Sequence, residues 1–227
     1  MSEVVLAVDT CGPRPRVALR IDGQVTTATP EQDARADDAA SLAGRLLAAA
    51  GRSAADVTGI GVTTGPGSYT GVRIGLALVR GLSLVDRIPV VGTGTLELLA
   101  AAAPGTQSRL CALLDAGSDK LYAAIFERTD ERVLEVVAPR VVSRTELARF
   151  VEGEAATAAV LRSEDEPEVN CGRPLVVVPG TRRIVALAEI TARRLRQGDG
   201  TSADLVLPLY VGATGARPNR NKVVATG

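Results

Sequence analysis

The chain has 227 residues, 46% of them hydrophobic but only 2% aromatic, so a core must be built from Ala, Val, Leu and Ile in close layers, and the length suits two lobes better than one. Its 26 basic and 26 acidic residues cancel, which excludes a general positive field able to hold nucleic acid by phosphate neutralisation alone. Histidine is absent, which excludes His-based zinc sites and Ser-His or Cys-His catalysis.

Cys11, Cys111 and Cys171 are odd in number and far apart, with no Cys-x-x-Cys pair, as expected of a reduced chain. Met1-Ser2-Glu3 offers no basic leader, the apolar run over 4–8 is too short for a signal segment, and no later stretch is long enough to span a bilayer. A cytoplasmic chain without a membrane partner is expected.

In chain order, residues 4–8 are apolar and β-branched, stop at Asp9-Thr10 and predict a buried strand. Residues 17–21 predict the next strand. Asp22-Gly23 marks a hairpin, because glycine takes the positive φ of tight turns, so 25–28 returns alongside. Over 36–50 the residues Ala39, Leu42, Ala43, Leu46, Leu47 and Ala50 keep helical spacing, with Gly51 as the stop. Residues 57–64 read as a central strand. The segment Gly65-Pro66-Gly67-Ser68-Tyr69-Thr70-Gly71 then leads into a helix over 71–85, ended by Asp86 and the pre-proline Ile88. A short strand over 89–91 follows, then a helix over 95–103 with Thr95 as N-cap and Glu97 in its first turn. The first part is thus built on a βββαβα order.

Pro104-Gly105 punctuates the chain. Beyond it, 110–114, 121–126 and 133–137 predict strands, 145–151 a helix behind Ser143, 157–161 and 175–178 two further strands, and 184–196 a helix with a basic end before Gly198. The second half roughly repeats the first. The expected division is residues 1–103 and 104–227, the last segment being free to return to the first lobe. The run Ser163-Glu164-Asp165-Glu166-Pro167-Glu168 reads as a solvated acidic loop without function.

The Gly65–Gly71 loop has no Lys-Ser or Lys-Thr after its last glycine and lacks the third glycine of a dinucleotide fingerprint. It reads either as a sharp turn capped by Ser68 or Thr70, or as the start of a docking element. The helix after it favours docking: Ile74, Leu78, Leu82 and Val85 line one face while Val72, Leu76 and Val79 line another, and one sheet cannot bury both. Gly71 and Gly75 lie one turn apart, and the first helix offers small residues in the same way. The expected partner surface is Ala36, Ala40, Ala43 and Leu47 with Gly71, Val72, Gly75, Leu76 and Val79.

Asp9, followed by Thr10, ends a first strand, where a carboxylate can meet magnesium-bound phosphate or simply bond nearby backbone N–H groups. Asp115 is its counterpart in the second half. These three are the weaker, nucleotide-binding candidates. Cys11 has no histidine to activate it and reads as structural. The basic segment Arg217-Pro218-Asn219-Arg220-Asn221-Lys222 reads as a frayed end or as a contact to RNA or a partner. No catalytic residue and no metal site is expected.

Through Val4-Val5-Leu6-Ala7-Val8-Asp9-Thr10, the segment Gly65 to Gly75 with its continuation Leu76-Ala77-Leu78-Val79-Arg80-Gly81-Leu82, and Pro89-Val90-Val91-Gly92-Thr93-Gly94-Thr95-Leu96, the chain resembles the TsaB (YeaZ) family. The likeness covers most of the first 115 residues and returns at Pro208-Leu209-Tyr210-Val211. It implies an α/β fold of the actin, sugar-kinase and Hsp70 (RNase H-like) type with two duplicated lobes. It also implies a role in placing threonylcarbamoyl on the adenosine beside the anticodon of tRNAs, as the non-catalytic partner of TsaD. In that family TsaD carries the metal-binding histidines and transfers the group, and a separate ATPase, TsaE, joins them.

The resemblance further implies pairing through the first two helices, as a heterodimer with TsaD or a homodimer alone, with tRNA met mainly through the complex. No tightly bound cofactor is implied; ATP and magnesium enter only in the complex. The absence of histidine fits the partner and not the catalytic paralogue. Two departures stand out: Cys11-Gly12-Pro13-Arg14-Pro15-Arg16 replaces a stretch commonly rich in Ser or Thr, and Gln32-Asp33-Ala34-Arg35 lacks the customary histidine. The competing reading is an ATP-dependent phosphotransferase of the same fold using Asp9 for magnesium and phosphate. A peptidase ranks last, for want of a nucleophile with its base.

Overall fold

Strand β1 (Val4–Asp9) is buried along its whole length, with β2 (Arg16–Ile21) and β3 (Gln24–Ala28) folded back as antiparallel neighbours. Both turn residues between β2 and β3 have positive φ, 45° at Asp22 and 94° at Gly23, the mirror-image turn whose twist suits paired strands. On the other side of β1, β4 (Gly59–Thr63) and β5 (Val90–Thr93) run parallel, giving the order β3-β2-β1-β4-β5. The computed structural model describes residues 2–28, 33–129, 132–153, 159–165, 168–212 and 215–216.

The second sheet repeats this plan with β6 (Arg109–Gly117), β7 (Lys120–Arg128), β8 (Val133–Ser143), β9 (Ala159–Ser163) and β10 (Leu175–Val178) in the order β10-β9-β6-β7-β8. Again the first three strands are antiparallel and the last two join in parallel. Strand β6 therefore stands where β1 does.

Helices α1 (Ala39–Ala49) and α2 (Tyr69–Asp86) cover one face of the first sheet, sharing a core with Val4, Leu6, Val8, Val17 and Leu19. The expected start of α1 at Ala36 is a 3-10 turn over Ala36–Asp38, and α2 begins two residues early because Ser68 caps it. Helix α3 (Thr95–Ala102) has Gly94, not Thr95, in the N-cap position; Thr95 is buried inside the first turn. Helix α4 (Leu147–Gly153) follows β8, and α5 (Gly180–Arg196) starts four residues before the expected position. Thr157, the expected start of β9, and the 217–222 segment lie outside the described residues. Between β9 and β10, where α2 would have its counterpart, the described residues form no helix.

The helix closing each half packs on the sheet of the other half. Helix α3 places Leu96, Leu99 and Ala100 against Leu110, Ala112 and Phe126 of the second sheet. Helix α5 places Ile184, Leu187 and Ala188 against Ala7 and Ala18 of the first. It also lies across β4, where a Cβ at Gly59 would overlap Leu195 and one at Gly61 would overlap Thr191. Beyond α5 the chain first returns to the first sheet: Val90 and Thr201 exchange both backbone hydrogen bonds, at 2.8 and 3.0 Å, and Leu209 N–H donates to Thr64 O at 2.7 Å, before Val211–Gly212 and Gly215–Ala216 lie against β8 of the second sheet. No helix among the described residues is long and apolar enough to cross a membrane.

Candidate functional site

The glycine-rich loop is anchored on the chain's own backbone. Gly65 and Gly67 have φ of 102° and 154°, the peptide between Gly65 and Pro66 is cis, and Gly65 O accepts from Thr95 N–H at 2.8 Å. Ser68 N–H donates to Cys11 O at 2.9 Å, and Ser68 Oγ accepts from Gly71 N–H at 3.1 Å, the expected N-cap. The Thr10 hydroxyl donates to Gly71 O at 2.7 Å. A side chain at Gly71 would overlap Thr10 O, and one at Gly75 would overlap Thr10 Oγ1. These glycines therefore bring α2 onto the end of β1.

Asp9 sits at that same strand end, fully enclosed. Its Oδ1 accepts from Cys11 N–H at 3.1 Å and from the Thr63 hydroxyl at 3.0 Å, while its Oδ2 accepts from Arg183 Nη2 at 2.6 Å. Arg183 comes from α5 and donates from Nη1 to Ser163 Oγ at 2.9 Å, so one guanidinium ties the end of β1 to the end of β9 across the two sheets. Burial works against the Arg183 charge, but the Asp9 charge and the hydrogen bond to it outweigh this and hold its pKa above the ordinary value.

Asp9 thus presents no outward carboxylate for magnesium and phosphate, and Thr10 is buried against α2. Asp115 accepts from Gly117 N–H at 3.3 Å and from Arg144 at 2.9 Å, both in its own half of the chain. A cleft of about 1160 Å³ between α3, α5 and the β7–β8 turn carries Arg128, Arg132, Arg193 and Arg194, and none of Asp9, Thr10 or Asp115 lines it.

A second set of ion pairs crosses at the turn after β1. Arg14 pairs with Asp165 at 2.9 Å, and Arg16, itself buried, meets Asp165 at 2.7 Å and Glu164 at 2.9 Å. Glu164 also accepts from Gly180 N–H at the start of α5. The acidic run is therefore not a simple solvated loop: its first two acids clasp the arginines of the first lobe. Glu166 and Pro167 lie outside the described residues.

Cys11 is 4% exposed, its Sγ is 3.1 Å from Thr63 Oγ1, and burial with the neighbouring Asp9 charge pushes its pKa up to about 11. It is a structural thiol, as expected.

The expected partner surface needs correction. Ala43, Leu47, Val72, Leu76 and Val79 are buried in the core that α1 and α2 share with the first sheet, and Gly71 and Gly75 face Thr10. Only Ala36 and Ala40 of that set reach the surface. The inward face of α2 is Val72, Leu76 and Val79, and of the other expected face Leu78 and Leu82 also pack partly against the same core. The outward side carries Ile74, Ala77, Gly81 and the 81% exposed Leu84; the Val85 side chain lies outside the description. On α1 the exposed residues are Ala40, Ser41, Gly44, Arg45, Ala48 and Ala49. Among the described residues, a Cβ at Gly44 or Gly81 would meet nothing within 4 Å.

The family model described as TsaD: tRNA N6-adenosine threonylcarbamoyltransferase matches residues 29–177, more than half of the chain. The chain belongs to this family. Two curated relatives carry the name tRNA threonylcarbamoyladenosine biosynthesis protein TsaB. The one from Escherichia coli K12 is 31% identical over 57% of this chain and 57% of its own length. The one from Bacillus subtilis 168 is 31% identical over 52% and 47%. The match thus spans about half the length of these relatives. A crystal structure from Pseudomonas aeruginosa, of an uncharacterized protein with similarity to peptidase YEAZ, superimposes with a TM-score of 0.73 at 26% identity, covering 92% of this chain and all of that one. These relatives agree with the TsaB (YeaZ) resemblance, and the paired sheets have the actin-like, RNase H-like plan that it implies.

Sequence reasoning missed Arg183, which stands outside the apolar periodicity used to place α5. The available signal was Arg182-Arg183 directly ahead of an apolar helix face. Glu164 and Asp165 were missed because composition alone does not say which acids in a run are covered.

Proposed function

We propose that this chain is a scaffold and activator subunit for threonylcarbamoyl transfer to the adenosine beside the anticodon of tRNAs, docking a TsaD-type subunit through the outer faces of α1 and α2. The observation that carries this reading is the pair Gly44 and Gly81. Each sits in a helix interior, where glycine costs about 1 kcal/mol relative to alanine, and each faces open space, so nothing among the described residues requires it. A partner helix approaching closely gives both a reason. The absence of histidine in a member of a transferase family supports a partner role. On this reading a TsaE-type ATPase joins the assembly, a second copy covers the same face when the chain is alone, and ATP, magnesium and tRNA engage the complex.

The test pairs binding with function. Gly81→Leu adds a better helix former where there is room, so its melting temperature should match or exceed that of the parent while co-purification with the cognate TsaD-type subunit is lost. In reconstituted tRNA modification, omitting the chain should abolish or strongly slow the reaction. Equal modification without the chain would sink the proposal.

A further inference from the structure

The chain has five aromatic residues, three Tyr and two Phe, and two of the tyrosines meet at the surface. Tyr69 opens α2 and is 55% exposed; Tyr210 arrives from the last segment and is 43% exposed. Their ring centroids are 5.5 Å apart. Arg73, one turn along α2, lays its guanidinium 4.0 Å from the Tyr69 centroid and donates from Nε to the Tyr210 hydroxyl at 3.3 Å. The side chain is thus stacked on one ring and pinned by the other, which fixes the plane of its fork.

What the arrangement lacks is an anion. Arg14, Arg16, Arg20, Arg183 and Arg194 all pair with carboxylates of the chain, whereas among the described residues no carboxylate pairs with Arg73. Its two terminal nitrogens remain for an acceptor from outside, in the planar geometry that matches a carboxylate with two parallel hydrogen bonds. The surroundings distinguish between kinds of acceptor. The residues beside Arg73 on the outer face of α2 are Ile74 and Ala77, not a row of cations. The next arginine, Arg80, is turned onto the carbonyls of Ala203 and Val206. A phosphodiester chain is held by several cations in sequence, whereas tyrosine and arginine beside an apolar stripe are the composition of a protein–protein anchor.

We infer that Arg73, buttressed by Tyr69 and Tyr210, receives a carboxylate of the protein partner that covers α2 and anchors one end of that interface. The inference rests on the docking reading above and names the chemistry the partner must present. Arg73 is a binding residue and takes no part in bond making.

The test measures affinity of the full chain for the purified cognate TsaD-type subunit at low and high salt, with melting curves as controls. Arg73→Ala should weaken binding about tenfold or more and flatten its salt dependence. Arg73→Lys should restore only part, because an ammonium lacks the fork, and Tyr69→Ala should weaken binding by freeing the guanidinium. Parent-like binding by Arg73→Ala, with loss in Gly81→Leu, overturns this inference and leaves the docking reading standing. Parent-like binding by both variants overturns both. Unchanged protein affinity with reduced tRNA retention by the Arg73→Ala complex overturns it in favour of an RNA phosphate.

Discussion

Asp9 and Arg183 are 174 positions apart in sequence and meet at 2.6 Å, with 1% of either side chain exposed. Such a pair contributes little over an apolar replacement of the same shape, but breaking it on one side leaves a buried charge without its partner. Arg183→Met should cost about 3–5 kcal/mol of stability. The double variant with Asp9→Asn should lose less than the sum of the two single changes. Urea midpoints of the four proteins check both statements, and strict additivity would show that the two groups are not coupled.

Gly75 gives a sharper test of packing. A Cβ there overlaps Thr10 Oγ1 but lies 3.5 Å from Thr10 Cβ, an ordinary contact. Gly75→Ala should therefore destabilise by about 1–3 kcal/mol through overpacking. In a Thr10→Ala background the same change should be neutral or stabilising, because alanine is the better helix former by about 1 kcal/mol. A cost that persists in that background would place the conflict elsewhere. Substitution at Gly75 therefore reports on the chain's own fold before it reports on any partner.

The Ser68 cap predicts a smaller effect. Ser68→Ala removes the acceptor for Gly71 N–H and should cost about 1 kcal/mol, read as a lower urea midpoint with an unchanged slope.

Asp165 sets a pH dependence. Burial acts to raise its pKa, but the Arg14 hydrogen bond and the Arg16 charge outweigh this and hold it below the ordinary 3.8. A carboxylate depressed in the folded state contributes stability that is complete above its unfolded pKa and is lost as pH falls through the folded one. Stability should therefore decline as pH drops below about 3.8, and Asp165→Asn should flatten that part of the curve. Urea midpoints collected down the acid limb provide the measurement; parallel curves for the two proteins would contradict the assignment.

The thiols should be silent in the native state. Cys11, Cys111 and Cys171 are all free and buried, and burial is the main cause that pushes Cys11 to about 11 and Cys111 to about 12. A thiol reagent at mildly alkaline pH should label none of them until denaturant is added, and then all three. Rapid native labelling of Cys11 would mean that the end of β1 opens.

Much of the fold was legible because its signals are local. The hairpin at Asp22-Gly23, the succession of strands and helices along each half and the stop at Gly51 follow from backbone preferences and apolar runs, and the structure keeps them. The two apolar faces of α2 were also visible, but periodicity does not say which face turns inward. Val72, Leu76 and Val79, which their spacing offers equally to a partner, fill the core, and Gly71 and Gly75 fit against Thr10. The glycines that face open space, Gly44 and Gly81, look no different in sequence from those that do not. Arg183 and Asp165 were beyond local reading altogether, since each acquires its meaning from a partner more than a hundred positions away.

The crossed packing of α3 and α5 has a bearing on how the chain is made. During synthesis the first sheet can form as soon as β5 has left the ribosome, but the face that meets Ala7 and Ala18 waits for residues 180–196. For nearly half the chain's synthesis that face has no helix of its own, and a nascent chain in this state exposes apolar surface open to chaperones or to aggregation. Truncation just after β10 should freeze that state and yield an insoluble product, whereas supplying residues 180–212 as a separate peptide should recover part of the soluble fold.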